Sequence, residues 1–204
     1  MSARGGTTRR TEIGLSILLF IAFVGGWEAA VRVFSVPAIV VPAPSAVMRA
    51  LAAGLASGEL VAHFWVTFAE VILGFVAGAG CGFAIGVMVG LFPLLERTVY
   101  PYVVAFQTLP KVAIAPLFLI WMGYGIFPNM LMGALIGFFP VVINTAVGLS
   151  QVEADMLDLG RVFNAPKWKI FVKIRIPNAL PYILSALKIT ATAAVVGAIV
   201  GEFV

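Results

Sequence analysis

Residues 152–177 read VEADMLDLGRVFNAPKWKIFVKIRIP, and they form a charged stretch between long apolar segments. Two short helical patterns lie on either side of Asn164-Ala165-Pro166. Charged residues that alternate with a helical apolar stripe belong in water rather than in lipid. We therefore predict a water-facing helical hairpin at residues 152–177, between two membrane-spanning helices. We expect this hairpin to contact a partner protein.

Each half of the predicted hairpin carries its own signals for where a helix begins and ends. In the first half, apolar residues recur at i, i+4, i+7 and i+11 on one helical face: Val152, Met156, Leu159 and Phe163. Asn164 tolerates the left-handed conformation that ends a helix, and Pro166 suits the first turn of the next helix. Because the residue before a proline is pushed out of helical geometry, we expect the second helix to end at Ile176-Pro177.

The composition of the whole chain indicates a membrane protein with several spans. Of the 204 residues, 62% are hydrophobic and 11% are charged, whereas soluble domains average about 45–50% and about 25%. The single Cys81 excludes an internal disulfide, and the single His63 excludes a histidine-based metal or catalytic site. Most basic residues lie in short loops between apolar segments, so the net charge of +4 does not indicate nucleic-acid binding.

Five membrane spans are predicted from the apolar segments, at about residues 13–30, 60–92, 99–122, 128–149 and 178–204. Arg4, Arg9 and Arg10 precede the first span, so the positive-inside rule places the N-terminal segment 1–12 in the cytoplasm. By alternation, residues 152–177 also lie in the cytoplasm. Residues 13–204 are therefore expected to form one all-α membrane domain.

The segment that follows the first span is expected on the outer side of the membrane. Its prolines prevent a continuous helix, and Ser45 is placed to cap a new one. We predict an amphipathic helix at residues 45–57 that lies along the outer interface. Glu28 and Arg32 are four residues apart on one helical face, and we expect them to form an exposed ion pair.

The second predicted span has a glycine at every fourth position: Gly74, Gly78, Gly82, Gly86 and Gly90. In a membrane, such a ridge of small residues lets one helix backbone pack closely against another. Glu70 lies in the same span. A charge in lipid is costly, so Glu70 must face the helix bundle, a cavity or the outer headgroups.

Several polar residues in the spans are candidates for lining a solute pathway. Lys111 directly follows Pro110 in an interrupted third span, and a charge beside a helix breaker is tolerated only inside protein or beside water. The full set of pathway candidates is Thr108, Pro110, Lys111, Asn144, Lys188 and Glu202. The titratable residues in the spans are scattered singly, so we expect no catalytic site, no metal site and no bound cofactor.

The hairpin resembles the EAA loop of permease subunits of binding-protein-dependent ABC importers. That motif reads Glu-Ala-Ala, three residues, Gly, nine residues, Ile-x-Leu-Pro. Counted back from Pro177, the chain has Ile174 and Ile176 at the Ile and Leu positions and Asn164 at the Gly position. Asp158-Leu159-Gly160 stands where the family has Glu-Ala-Ala.

The remainder of the chain is similar to the nitrate/sulfonate/taurine group of these permeases. The shared stretches are VPAPS at residues 41–45, TLPKVA at 108–113, WMGYG at 121–125 and PNALP at 177–181. The resemblance covers residues 13–204. Members of that group have a sixth span, and we interpret its absence after Val204 as a truncation of the sequence.

The resemblance implies a polytopic helical bundle of the type I ABC importer kind in the cell inner membrane. It implies a second permease subunit, forming a homodimer, together with two ATPase subunits, a periplasmic or extracellular solute-binding protein and membrane lipid. It also assigns ATPase coupling to the hairpin residues Asp158, Leu159, Gly160, Phe163, Asn164, Ala165, Pro166, Lys167, Trp168 and Phe171.

The chain contains no phosphate-cradling Walker sequence. We therefore expect it to be a transport subunit rather than an enzyme, with ATP and Mg²⁺ used by the partner ATPase. The resemblance implies a small solute: a sulfonate, taurine, nitrate or a vitamin-precursor pyrimidine. Two other functions stay open from the residues alone, namely an ion-gradient-driven secondary transporter with Glu70, Lys111 and Glu202 as relay residues, and a non-transport membrane scaffold.

Overall fold

A computed structural model describes residues 5–203, with side chains described for 11–160 and 162–203. The predictions for Arg4 and Val204 fall outside this part of the chain. The described residues form helices and short connections, which confirms the predicted all-α class. The α-helices are α1 Gly5–Val33, α2 Pro44–Ser57, α3 Glu59–Leu91, α4 Pro93–Thr98, α5 Tyr100–Gln107, α6 Ala115–Met122, α7 Ile126–Ser150, α8 Ala154–Val162, α9 Lys167–Ile170 and α10 Ile176–Phe203.

Four helical segments are long and apolar enough to cross a membrane: Thr11–Val33, Glu59–Leu91, Ile126–Ser150 and Lys167–Phe203. The third predicted span is a fifth candidate, and it consists of two helical pieces, Tyr100–Gln107 and Lys111–Met122, that meet at 85°. The bend lies at Pro110, which has no N–H to donate and forces the residue before it out of helical geometry. Pro101 and Pro116 of the same span lie in the first turns of α5 and α6, where proline is well tolerated.

The chain divides into two compact units, and the first comprises the described residues up to His63. In this unit Glu28 and Arg32 form the predicted ion pair, with Nη2 and Oε1 2.6 Å apart. Ser45 does not cap α2 as predicted, because Ala43 occupies the cap position and Pro44 begins the helix. The backbone N–H and the hydroxyl of Ser45 instead donate to the Glu28 carboxylate, at 3.0 and 2.8 Å. Glu28, which belongs to α1, therefore accepts from a backbone N–H in the first turn of α2 that has no partner within its own helix.

The second unit begins at Phe64, and its centre is the packing of α3 against α7. The glycine ridge of α3 lies on this contact. A Cβ added to Gly78 would be 2.6 Å from the carbonyl oxygen of Ala134, and a Cβ on Gly82 would be 2.8 Å from that of Phe138. Real Cβ atoms do not approach backbone that closely, so this contact requires glycine. The predicted small-residue packing is confirmed.

Helix α10 packs along α7 in the opposite direction. Gly133 and Gly148, at the two ends of α7, face Ala194 and Ala179 of α10. Between them the Thr190 hydroxyl donates to the carbonyl oxygen of Gly137 at 2.9 Å. Because α3 contacts α7 in the parallel sense, α3, α7 and α10 form a three-helix bundle in which α10 is antiparallel to the other two.

The predicted end of the second hairpin helix at Ile176-Pro177 is wrong. A π-helical turn, Phe171–Arg175, connects α9 to α10, and the helical segment runs from Lys167 to Phe203 without interruption. In the π turn the Ile176 N–H donates to the carbonyl oxygen of Phe171, one residue further back than in an α-helix. This wider turn is the kind of local adjustment that accommodates a following proline inside a helix.

Candidate functional site

The hairpin turns at Asn164, which has the predicted left-handed conformation with a φ of 48°. The N–H of Ala165 donates to the carbonyl oxygen of Gly160 at 3.0 Å, the long backbone bond that typically closes a helix ending in a left-handed residue. Pro166 lies one position before the next helix, as its N-cap, and its carbonyl oxygen accepts from the N–H of Lys169 at 2.9 Å. Two short helices are thus joined by a tight, fully hydrogen-bonded turn.

Gly160 allows the two legs of the hairpin to pack together. It is buried, and an added Cβ would lie 3.2 Å from Cγ1 of Ile170 and 3.5 Å from Cδ1 of Ile174. A larger residue in α8 would push the second leg away. The resemblance assigned this position to partner contact, whereas the structure gives Gly160 a role in the internal packing of the hairpin.

The apolar stripe of α8 faces outward instead of covering a core. We call this exposed apolar area the tip surface, and it comprises Met156, Leu159, Val162, Phe163 and Trp168. Phe163 and Val162 are 76% and 78% exposed, and Trp168 is 62% exposed. Val152, the first residue of the predicted stripe, precedes α8. Exposed apolar side chains grouped on a charged element are typical of a protein-binding surface.

The opposite side of the hairpin is attached to the bundle by Arg175. Its guanidinium Nη1 donates to the carbonyl oxygens of Gly90 at 3.2 Å and Leu149 at 3.4 Å. These carbonyls belong to the last turns of α3 and α7, where the helix dipole is negative and carbonyl groups lack helical partners. One cation therefore joins the hairpin to the ends of two spans.

Two residues of α10 strengthen this attachment. The Asn178 amide donates to the carbonyl oxygens of Gly148 at 3.0 Å and Gln151 at 3.2 Å. The Tyr182 hydroxyl donates to Oε1 of Gln151 at 3.0 Å. We call Arg175, Asn178 and Tyr182 the carbonyl clamp. Sequence reasoning did not identify it, although polar residues just inside an apolar segment are a signal for contacts with neighbouring helix ends.

A cavity of about 750 Å³ lies between the hairpin and the end of α3. It is lined mainly by apolar side chains, with the cationic side chains of Lys167 and Arg175 at its wall. The apolar lining residues are Leu91, Phe92, Pro93, Leu157, Ala165, Trp168, Ile170 and Phe171. Four residues of the predicted coupling set line this cavity, namely Ala165, Lys167, Trp168 and Phe171. Asp158 of the same set is exposed on α8.

The predicted pathway candidates do not form one site. At the 85° bend, the Lys111 ammonium donates to the carbonyl oxygen of Gln107 at 2.7 Å and lies 4.9 Å from the ring centre of Phe139. Thr108 donates locally to the Ala105 carbonyl at 2.8 Å. Asn144 donates to the carbonyl oxygen of Pro140 within α7, and Lys188 is exposed on α10.

Glu202 belongs to a second polar group, at the end of the bundle opposite the hairpin. We call Thr67, Glu70, Asn129 and Glu202 the acidic cluster. Asn129 Nδ2 donates to Oε1 of Glu70 at 3.0 Å, and the Thr67 hydroxyl donates to Oε1 of Glu202. Thr67 and Glu70 are three residues apart on one face of α3, so the Glu202 carboxylate that binds Thr67 lies beside Glu70. The expectation that titratable residues in the spans stand singly is therefore wrong, because helix packing brings Glu70 and Glu202 together.

Within the described residues, no group of three or more His, Cys, Asp or Glu side chains is arranged to hold a metal ion. The polar chemistry of the second unit is thus concentrated in the carbonyl clamp, the acidic cluster and the Lys111 bend.

Comparison with known proteins agrees with this arrangement. The family described as "Binding-protein-dependent transport system inner membrane component" matches residues 71–204. These residues include most of α3, the bend, α7, the hairpin and α10. The match thus spans the hairpin, the carbonyl clamp and two of the four residues of the acidic cluster, Asn129 and Glu202.

Three relatives extend the similarity to nearly the whole chain. The riboflavin transport system permease protein RibX of Chloroflexus aurantiacus is 31% identical over 94% of this chain and 71% of its own length. The formylaminopyrimidine transport permease protein ThiX of Halalkalibacterium halodurans is 31% identical over 91% and 74%. The aliphatic sulfonates transport permease protein SsuC of Bacillus subtilis is 32% identical over 91% and 67%. The chain therefore belongs to the membrane-spanning permeases of binding-protein-dependent ABC importers.

Proposed function

We propose that this chain is the permease subunit of an ATP-driven importer and that its hairpin is the docking site for a separate ATPase subunit. The observation that carries the proposal is the combination of an exposed apolar tip surface with the carbonyl clamp behind it. Arg175 attaches the hairpin to the ends of α3 and α7. An ATPase subunit that binds the tip surface therefore moves the hairpin together with these helices. Movement of packed helices as rigid bodies is a common form of switching.

The distribution of charge gives the proposed orientation. Basic residues of the N-terminal segment and of residues 161–175 lie on the same side of the predicted spans, which the positive-inside rule places in the cytoplasm. The hairpin then faces the compartment that contains ATP. The opposite surface faces the solute-binding protein, and the host membrane is the cell inner membrane.

The pathway is proposed to form between two copies of the permease. In this arrangement Lys111 and the bend beside Phe139 face the solute, because a cation at a broken span is tolerated where water or solute is present. The printed names of the relatives refer to different solutes, namely riboflavin, formylaminopyrimidine and aliphatic sulfonates. We propose a small solute of this range, either an anion such as a sulfonate, taurine or nitrate, or a vitamin-precursor pyrimidine.

The docking proposal is tested by changing the tip surface while the fold is kept. The double variant Leu159→Ala/Phe163→Ala removes two exposed side chains and should lower co-purification of the ATPase encoded beside the permease by about 10-fold or more. Val172→Ala is the matched control, because Val172 is 51% exposed on the same hairpin but lies outside the tip surface. Unchanged ATPase recovery with the double variant would contradict the proposal.

Transport itself is tested with the complete complex in proteoliposomes that contain the solute-binding protein. Uptake should require ATP and Mg²⁺ on the hairpin side and should stop when the ATPase is inactivated. Uptake driven by an ion gradient without ATP would show a secondary transporter instead. A complex that assembles but takes up none of the proposed solute classes would favour a scaffold.

A further inference from the structure

The acidic cluster contains a buried carboxyl group whose hydrogen bonding is incomplete. Glu70 is 2% exposed, and its Oε1 accepts from Asn129. Among the residues that the structure describes, no donor reaches Oε2, although this atom is buried. A buried polar atom without a partner is costly, so a structure that retains one usually binds something there that the side chains alone do not supply.

The group that lies next to Glu70 is a second carboxyl group. Glu202 of α10 binds Thr67, one helical turn from Glu70 on α3, and the preceding Gly201 packs against Asn129, the donor to Glu70, so the two carboxyl groups are neighbours. Two neighbouring ionised carboxylates repel each other strongly when one is buried, and neither can donate a hydrogen bond to the other. A proton placed between them removes one charge and converts the contact into a strong hydrogen bond.

We propose that Glu70 and Glu202 form a proton-binding site in which the two carboxyl groups share one proton. The proton resides on Oε2 of Glu70 and is donated to the Glu202 carboxylate, which also accepts from Thr67. Every polar atom of Glu70 is then satisfied, and the remaining negative charge is on Glu202, whose residue is exposed.

The site joins three helices, so proton binding stabilises their packing. Glu70 and Thr67 belong to α3, Asn129 belongs to α7, and Glu202 belongs to α10. The close approach requires Gly201, because a Cβ there would overlap Oδ1 of Asn129. Loss of the proton leaves two facing negative charges, which drive α3 and α10 apart at this end.

Each element packed around Glu70 contributes a polar group to its surroundings. Asn129 is the neutral contribution of α7, and Glu202 is the charged group of α10 that reaches Glu70. Along α3, the nearest titratable residue in sequence is His63, seven residues before Glu70. His63 is the single histidine of the chain, so the experiment must separate its effect from that of Glu70.

The test uses the purified permease and does not depend on its solute or on the ATPase. The thermal unfolding midpoint of the wild-type protein should fall by about 5 °C or more from neutral to alkaline buffer, as the shared proton is lost. Glu70→Gln should keep the neutral-pH midpoint and lose this dependence, because its amide accepts from Asn129 and donates to Glu202. His63→Gln should retain the wild-type dependence. A pH dependence that disappears with His63→Gln, or one that persists in Glu70→Gln, would overturn the proposal.

Infrared spectroscopy of the wild-type protein gives an answer even if Glu70→Gln does not fold. At neutral pH one protonated carboxylic acid band should be present, and it should disappear in alkaline buffer. Absence of this band at neutral pH would overturn the proposal. A stabilisation by Na⁺ at constant pH, relative to choline, would also overturn it, because the ligand would then be a metal cation.

Discussion

The two ends of the α3, α7 and α10 bundle are held together by opposite chemistry. At the hairpin end, a guanidinium donates to backbone carbonyls of two helices. At the other end, carboxyl groups from two helices face each other beside an amide. Arginine stays charged at any physiological pH, whereas a carboxyl pair binds or releases a proton. The contacts at the hairpin end therefore do not depend on pH, whereas those at the opposite end are lost when the carboxyl pair releases its proton. We call the first the permanent end.

The largest expected effect comes from breaking the permanent end. Arg175→Ala leaves the Gly90 and Leu149 carbonyls without their cation and should destabilise the permease by about 2–3 kcal/mol. We expect ATPase activity in the complex to become independent of solute, because the hairpin no longer moves with α3 and α7. Thermal unfolding and solute-stimulated ATPase assays measure the two effects.

Lys173→Ala is the control for this experiment, because it removes the same charge from an exposed position two residues earlier. The Arg175→Ala effect on stability should also be the same in neutral and alkaline buffer, unlike the effect proposed for the acidic cluster. If Lys173→Ala has an equal effect, the net charge of the hairpin matters and the carbonyl contacts do not.

A smaller effect is expected from the packing of α3 against α7 in the part of the bundle that lies between its two ends. Gly78→Ala places a Cβ 2.6 Å from the Ala134 carbonyl oxygen and should destabilise the bundle by about 1–2 kcal/mol. Gly80→Ala is the matched control on the same helix, because its Cβ would have no neighbour within 4 Å. The gain in helix propensity should make Gly80→Ala neutral or slightly stabilising. Equal unfolding midpoints for the two variants would show that α3 does not pack on α7 through this ridge.

The smallest effect is expected at the hairpin turn at Asn164, which contributes neither to the carbonyl clamp nor to the acidic cluster. Asn164→Ala replaces a side chain that tolerates a φ of 48° through local hydrogen bonding with one that does not, and should cost about 1 kcal/mol, whereas Asn164→Gly should be close to neutral. Proteolysis at the hairpin and thermal unfolding measure the change. A stability loss in Asn164→Gly as large as in Asn164→Ala would mean that the asparagine side chain, and not its backbone conformation, is needed.

The sequence was sufficient to predict features that depend on local pattern. The glycine ridge, the turn at Asn164 and the ion pair of Glu28 and Arg32 all follow from spacing along one helix or one turn. The exposed tip surface was predictable as a stripe on α8, although only its position in the fold shows that the stripe faces outward.

Features that depend on distant residues or on unusual hydrogen bonding were not predicted. Thr67 and Glu202 of the acidic cluster are 135 positions apart, so no local pattern relates them. The carbonyl clamp uses backbone atoms of Gly90 and Leu149, which have no signature in the sequence. The continuation past Pro177 was missed because proline normally marks the end of a helix, and the π turn that accommodates it leaves no clear signal.

Through the π turn at Phe171–Arg175, the second leg of the hairpin and α10 form one continuous helical segment. The segment Lys167–Phe203 has 37 residues, which corresponds to about 55 Å at 1.5 Å per residue. A tilt of roughly 5° about the hairpin would displace the far end by roughly 5 Å, about one helical turn. Glu202 lies at that far end. A small rotation imposed on the tip surface is thus amplified into a displacement large enough to separate two carboxyl groups that share a proton.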